Sequence, residues 1–215
     1  LLISGGHTEL VLVKKHLKYE VIGETVDDAV GEAFDKVARI LGLPYPGGPH
    51  IARLAKQTRK SPQGRTLGIQ KGPTFSRLSF PRPMIHSQNF NFSFSGLKTA
   101  VLYFTQKQKT LTDKIKSEIA HEFQNAVVDV LVHKTQKAIE KYKIKTLIVG
   151  GGVSANTEIK RALTTMTRDK KVKILFPDKK LAMDNAVMIG IAGFFRLKDA
   201  RKNLKMKAVG NLRLD

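Results

Sequence analysis

Two glycine loops and a set of carboxylates carry most of what this sequence could do chemically. The first loop is Ser4-Gly5-Gly6-His7-Thr8, directly after the apolar run Leu1-Leu2-Ile3. Two glycines let a ligand come close to backbone N–H groups, Ser4 and Thr8 add hydroxyls, and such a loop can hold phosphate oxygens; the alternative is an ordinary hairpin turn. The second is Ile148-Val149-Gly150-Gly151-Gly152-Val153-Ser154-Ala155-Asn156. A buried strand running through three glycines into a helix start sets a helix N-terminus and bare backbone against a nucleotide, or else makes a tight strand–helix connection. The dinucleotide spacing G-x-G-x-x-G is absent, and no Gly-Lys-Ser/Thr of a Walker A loop follows. Asp27, Asp28, Glu32 and Asp35 form an acidic group, read either as a solvated helix face or as a holder of hydroxyls and amines. Asp184-Asn185 stands before a final apolar run, where Asp184 reads as a helix cap or, more sharply, as a metal ligand.

Other chemistries are excluded. With no cysteine there is no thiolate zinc site, disulfide or cysteine nucleophile in this chain. The six histidines, His7, His16, His50, His86, His121 and His133, contain no His-x-x-x-His pair, and no Gly-x-Ser-x-Gly elbow occurs. No apolar run approaches the roughly 18–20 residues that span a bilayer.

The elements that must position these residues follow from periodicity. Leu1–Ser4, Glu9–Val13 and Tyr19–Ile22 read as a meander of short strands, with Val11 and Val13 on one face. Asp27 and Asp28 stand where a helix cap belongs, Val30, Ala33, Phe34, Val37, Ala38 and Leu41 follow at helical spacing, and Gly42 ends the helix. Pro44 to Pro49 is a rigid turn, Ile51 to Lys56 a weak helix, and 57–79 a mobile basic loop. Helices are expected from Ser95 to Lys107, Thr112 to Lys141, Ala155 to Met166 and Ala186 to Leu197, and strands at Thr146–Val149 and Val172–Phe176. This order predicts an α/β domain with a mixed sheet and a mostly helical subdomain inserted around residues 50–120.

Charge is the unusual quantity. The 215 residues hold 38 Lys+Arg against 18 Asp+Glu, a net +20. Residues 1–50 carry 5 basic and 7 acidic groups, residues 51–120 carry 13 and 2, and residues 121–215 carry 20 and 9. A near-neutral first segment followed by a positive remainder points to a polyanionic partner, with plain solubility as the alternative. The chain also opens without methionine inside an apolar run, which reads as a piece of a longer protein.

Taken together, the strings resemble one family. Leu2-Ile3-Ser4-Gly5-Gly6-His7-Thr8-Glu9-Leu10 is the most specific. Gly23 to Ala29, Gly31-Glu32-Ala33-Phe34-Asp35-Lys36, Leu43 to Pro49, Phe80-Pro81-Arg82-Pro83-Met84, Phe92 to Thr99, Gly151 to Asn156 and Asp184-Asn185-Ala186 follow in family order. This pattern is similar to the bacterial TsaD family over nearly the whole chain, and weak only at 57–79 and 105–114. The resemblance implies an actin/sugar-kinase-like (ribonuclease H-like) two-lobed fold of which residues 1–215 are the C-terminal lobe, with the N-terminal lobe absent.

The resemblance also implies transfer of a threonylcarbamoyl group from threonylcarbamoyl-adenylate to the N6 amine of the adenosine 3′ of the anticodon in ANN-decoding tRNAs, releasing AMP. By family match Leu2, Ile3, Ser4, Gly5, Gly6, Asp35, Gly48 and Asn156 bind substrate, and Asp184 is a ligand of one divalent metal per subunit, assigned to iron with zinc or magnesium as alternatives. No catalytic residue is assigned. The family's His-x-x-x-His metal ligands lie upstream of the first strand and are not in this chain, and Ala182-Met183 stands where the family shows Cys-Thr or Cys-Ser. The implied partners are tRNA and TsaB-like and TsaE-like proteins, the implied location is the cytoplasm, and the fragment alone is expected to be inactive. A small-molecule kinase or ATPase of the same fold, or a non-catalytic tRNA-binding fragment, are the alternatives.

Overall fold

In the computed structural model the described residues are 1–60, 78–182 and 184–199. The meander forms as β1 (Leu2–Ile3), β2 (Thr8–Lys15) and β3 (Lys18–Glu24), antiparallel in that order. A second, parallel pair is β4 (Thr146–Ile148) and β5 (Lys173–Leu175). A parallel bridge between Leu2 and Gly150 joins the two. Its hydrogen bonds run from Ile3 N–H to the Gly150 carbonyl and from Gly150 N–H to the Leu1 carbonyl, both 2.9 Å. The strands thus follow one another as β3-β2-β1-β4-β5, a mixed α/β sheet. On β2 the buried residues are Thr8 and Leu10, whereas Val13 is exposed. The expected Val11/Val13 face fails because the ladder shifts register between Leu10 and Val11, which breaks the period-two alternation.

Helix α1 (Val30–Ile40) buries Val30, Ala33, Phe34, Val37 and Ala38, the stripe its spacing predicts, and stops at Gly42, whose φ of +70° suits glycine. Its cap differs from expectation. Ala29, not Asp27 or Asp28, is the N-cap residue; the Glu32 carboxylate accepts from Ala29 N–H at 3.4 Å, and the Thr8 hydroxyl oxygen accepts from Val30 N–H at 2.8 Å. Helix α2 (Gly47–Lys60) begins four residues before the weak helix expected there and includes 57–60 of the expected loop; the loop's residues 61–77 lie outside the described residues.

Helix α3 spans Ser95–Gln106, and α4 spans Asp113–Tyr142 with Thr112 capping it through a bond from Ile115 N–H. At 30 residues α4 is about 45 Å long. Helix α5 (Thr157–Asp169) follows a 3₁₀ turn over Gly152–Ala155, and α6 is Ala186–Phe195.

One hydrophobic cluster holds these elements together. Ile3 and Leu10 from the sheet, Phe34 and Val37 from α1, Phe123 and Leu131 from α4, and Ile159 and Leu163 from α5 all belong to it. Phe34 and Phe123 meet edge to face at 5.1 Å between ring centroids. Ile51, Leu54, Phe80, Phe92, Phe94, Leu97 and Val101 are members too. The described part of residues 50–120 therefore packs into the common core rather than building a core of its own, which departs from the inserted subdomain expected from the sequence.

Candidate nucleotide-binding mouth

Parallel strands β1 and β4 end side by side, and their continuations part. β1 turns back through Ser4–His7 into β2, while β4 runs through Gly150–Gly152 toward α5. Diverging connections at the carboxyl ends of neighbouring strands leave a crevice, the usual ligand position in open α/β sheets.

Close backbone contacts build its walls. Gly151 has φ +89°, and a Cβ there would lie 2.3 Å from the Ile3 carbonyl oxygen and 3.2 Å from Ser4 Cβ. Gly31, in the first turn of α1, donates its N–H to the Ser4 carbonyl at 3.1 Å, and a Cβ on it would meet that oxygen at 2.6 Å. The two loops and the positive end of α1 therefore converge on one point. Ser4 shapes the turn from within: its N–H donates to the His7 carbonyl at 2.8 Å, and its Oγ accepts from Gly6 N–H at 3.3 Å and His7 N–H at 3.0 Å. A Cβ placed on Gly5 or Gly6 meets no atom within 4 Å, so open space lies over both.

The other residues singled out from sequence fall as follows. Ile3 is fully buried and Leu2 half-buried, so they contribute through backbone position. Asp35 Oδ1 accepts from Gly47 N–H at 2.7 Å and so holds the start of α2 against α1; the neighbouring Gly48 faces open space. Asn156 caps α5, its Oδ1 accepting from Glu158 N–H at 2.9 Å and Ile159 N–H at 3.2 Å, while its amide donates to Gln124 Oε1 at 3.0 Å. Gln124 was not found by sequence reasoning, although a glutamine on the apolar stripe of α4 is the kind of signal that could have marked it. Asn156 and the glycine loop share one chain turn, and α1 packs against that same turn.

The acidic group is committed to structure. Asp27 gathers the start of α3: Oδ1 accepts from Phe94 N–H at 2.8 Å and Ser95 N–H at 3.2 Å, and Oδ2 from the hydroxyls of Ser93 at 2.5 Å and Ser95 at 2.7 Å. Burial alone would raise the Asp27 pKa, but these four bonds favour the carboxylate and hold it below the usual range. Asp28 and Glu32 pair with Lys36 at 2.6 and 2.8 Å, and Asp28 also with Lys98 at 3.4 Å. These bonds tie α1 to α3.

Asp184 is exposed, and Asn185 rather than Asp184 caps α6, accepting from Met188 N–H at 3.0 Å. Asn185 takes that place because its side chain is one residue nearer the helix and reaches the third N–H of the first turn. Among the described residues no group of three His, Asp or Glu side chains could hold a metal ion. Asp184 therefore fits a metal only as one contributor to a set completed elsewhere. A cleft of about 660 Å³ lies away from the mouth, between α4, α5 and the Arg82–His86 turn. Its two arginines are neutralised, Arg82 by Glu122 and Asp129 and Arg161 by Glu158, so it lacks the net charge an adenylate phosphate would seek.

Comparison with known proteins adds a second line. The family model described as "TsaD: tRNA N6-adenosine threonylcarbamoyltransferase" matches residues 1–191. Proteins of Thermosipho africanus and Thermosipho melanesiensis, each named tRNA N6-adenosine threonylcarbamoyltransferase, are 44% and 45% identical to the chain over all of its length. One from Chromobacterium violaceum with the same name is 45% identical over 93% of the chain. The chain spans 60% of the length of the two Thermosipho proteins. No helix among the described residues is long and apolar enough to cross a membrane.

Proposed function

The chain belongs to the TsaD family of tRNA N6-adenosine threonylcarbamoyltransferases, and from that premise we propose that the full-length protein transfers threonylcarbamoyl from threonylcarbamoyl-adenylate to the N6 amine of the adenosine 3′ of the anticodon in ANN-decoding tRNAs. The observation that carries this reading is the meeting of the Ser4–His7 and Gly150–Gly152 loops at the first turn of α1, with open space over Gly5 and Gly6.

The donor is a mixed anhydride and is already activated. The amine attacks the carbamoyl carbon, the bond from that carbon to the phosphate oxygen breaks, AMP leaves, and the attacking nitrogen loses one proton. The protein's task is to fix the donor and acceptor and to stabilise charge on the carbonyl and the departing phosphate. The mouth backbone, with the α1 dipole behind it, suits the phosphate, and the bare face of Gly48 admits ribose or base at close range. Asp35 and Asn156 hold the starts of α2 and α5, so they position the site's walls through those helices. Leu2 and Ile3 set the mouth's floor.

The finer parts of the reading are an actin/sugar-kinase-like two-lobed fold, a cytoplasmic location and TsaB-like and TsaE-like partners. Asp184 contributes one ligand to a divalent metal, iron with zinc or magnesium as alternatives, whose remaining ligands come from outside this chain; the 215 residues alone are then inactive. The +20 charge meets the tRNA backbone, so affinity falls steeply with salt.

The test is a transfer assay. Full-length protein, threonylcarbamoyl-adenylate and tRNA should yield threonylcarbamoyladenosine on nucleoside analysis. ATP-dependent phosphorylation of a small substrate without carbamoyl transfer would replace this reading with a kinase. Binding of tRNA with no affinity for the adenylate would leave an RNA-binding module.

A further inference from the structure

Helix α6 is at odds with the rest of the molecule. Its sequence is Ala-Val-Met-Ile-Gly-Ile-Ala-Gly-Phe-Phe, and none of these residues is buried. Ile189 is 69% exposed, Phe194 67% and Val187 56%. A helix that is apolar all round belongs in an interior, and a continuous exposed apolar patch marks an interface.

A second anomaly lies next to it. β1 pairs with β2 only at Leu2–Glu9 and Ile3–Thr8, yet β2 runs on to Lys15. From Leu10 to Lys15 it has β3 on one side and, among the described residues, no strand on the other. An open edge of that length invites pairing. The direction of that edge is informative. A strand continuing β1 backward, antiparallel to β2, would pass Leu10 and then Lys15 and arrive at the turn carrying His16. The ring of His16 touches Phe195 of α6, with centroids 4.6 Å apart. The open edge and the apolar helix are therefore two parts of one surface.

The relatives indicate the occupant. The chain matches the C-terminal 60% of the Thermosipho africanus protein, so about two-fifths of that protein precedes the match. A second copy of this chain is the weaker candidate, since two bodies each carrying +20 repel. We propose that α6 and the free edge of β2 together form the docking surface for the polypeptide that precedes the matched region in the longer relatives, which lays a strand along Leu10–Lys15 and buries α6. This holds whatever the glycine mouth binds.

The absence of cysteine provides a clean probe. Ile189→Cys is labelled with a maleimide in two proteins: the 215-residue chain, and the same chain preceded by the corresponding upstream segment of the Thermosipho africanus protein with any cysteines changed to serine. Tyr103→Cys, at a position 60% exposed on α3, is the control. The proposal predicts at least tenfold slower labelling of Ile189→Cys in the longer protein, no more than twofold change at Tyr103→Cys, and recovery of fast labelling when Phe194→Asp is added. Equal labelling in both proteins overturns it. So does protection already present in the 215-residue chain, whether constant (cover from within the chain) or rising with concentration (a second copy). Should the joined chain fail to fold, hydrogen exchange in the natural Thermosipho africanus protein decides: core-like protection of the helix matching α6 supports the proposal, and surface-like exchange overturns it.

Discussion

The glycines of this molecule fall into two sets that look alike in the sequence and differ in space. At Gly23, Gly31, Gly47 and Gly151 an added Cβ would lie 2.3–2.6 Å from its nearest neighbour, the carbonyl oxygens of Phe90, Ser4 and Ile3 or the Cβ of Ala38. At Gly5, Gly6 and Gly48 it would meet nothing within 4 Å. The first set lets elements approach so closely that only hydrogen fits. The second set has no such packing reason, and bare backbone facing open space is what a ligand needs. The same division runs through the polar residues. Asp27, Asp28 and Asn156 have their side-chain atoms engaged in holding helices, so the mouth acts through backbone that these side chains keep in place.

Breaking the packed set should have the largest effect. Gly151→Ala sets a methyl group against the Ile3 carbonyl at a φ that L residues rarely adopt, and should cost on the order of 3 kcal/mol or more in urea unfolding. A loss below about 1 kcal/mol would mean that the two loops do not touch.

Next is Asp27→Ala, which leaves the N–H groups of Phe94 and Ser95 and two hydroxyls without their acceptor. A loss of about 2–3 kcal/mol is expected. The Asp27 pKa is held low in the folded chain, so its contribution is complete above the unfolded value of about 3.9 and disappears as pH falls through the lower, folded value. Denaturant midpoints taken from pH 6 down to pH 2 should therefore drop less steeply in the variant. Identical slopes would remove Asp27 from the clamp.

A smaller effect tests a buried cation. Lys134 donates to Ser87 Oγ at 2.5 Å and to the Asn89 carbonyl at 2.9 Å, and burial, helped by Lys137, lowers its pKa to about 8. Unfolding then takes up a proton between about pH 8 and the ordinary lysine value near 10.4, so stability contributed by this site rises with pH across that window. Lys134→Met should flatten that rise in thermal melts, and an unaltered pH profile would place the titration elsewhere.

The smallest effect on folding is expected in the open set. Gly5→Ala should leave the unfolding midpoint within about 0.5 kcal/mol of the parent, yet weaken adenylate binding at least tenfold by calorimetry on full-length protein. A variant that binds normally would show that the space over Gly5 is not used.

Much of this was legible in the sequence, because periodicity reports local burial. The α1 stripe, the long α4 and the strand–glycine–helix passage at 146–169 all follow from it. The clamp on α3 was not legible: Asp27 and Ser95 are 68 residues apart, so an aspartate pair read as the cap of the helix beside it. The register shift in β2 and the displacement of the α6 cap from Asp184 to Asn185 depend on one-residue offsets that composition does not carry. Sequence also could not separate packed from open glycines, since the difference lies in what the rest of the fold brings near.

The central claim is that an adenylate sits on the open glycines. Full-length protein labelled with ¹⁵N only at glycine is titrated with AMP, the product that must leave the same site. The account predicts that the amide resonances of Gly5, Gly6 and Gly48 shift most and saturate together, while that of Gly23, far along β3, stays put. Saturating AMP with Gly5 and Gly6 unmoved would contradict it.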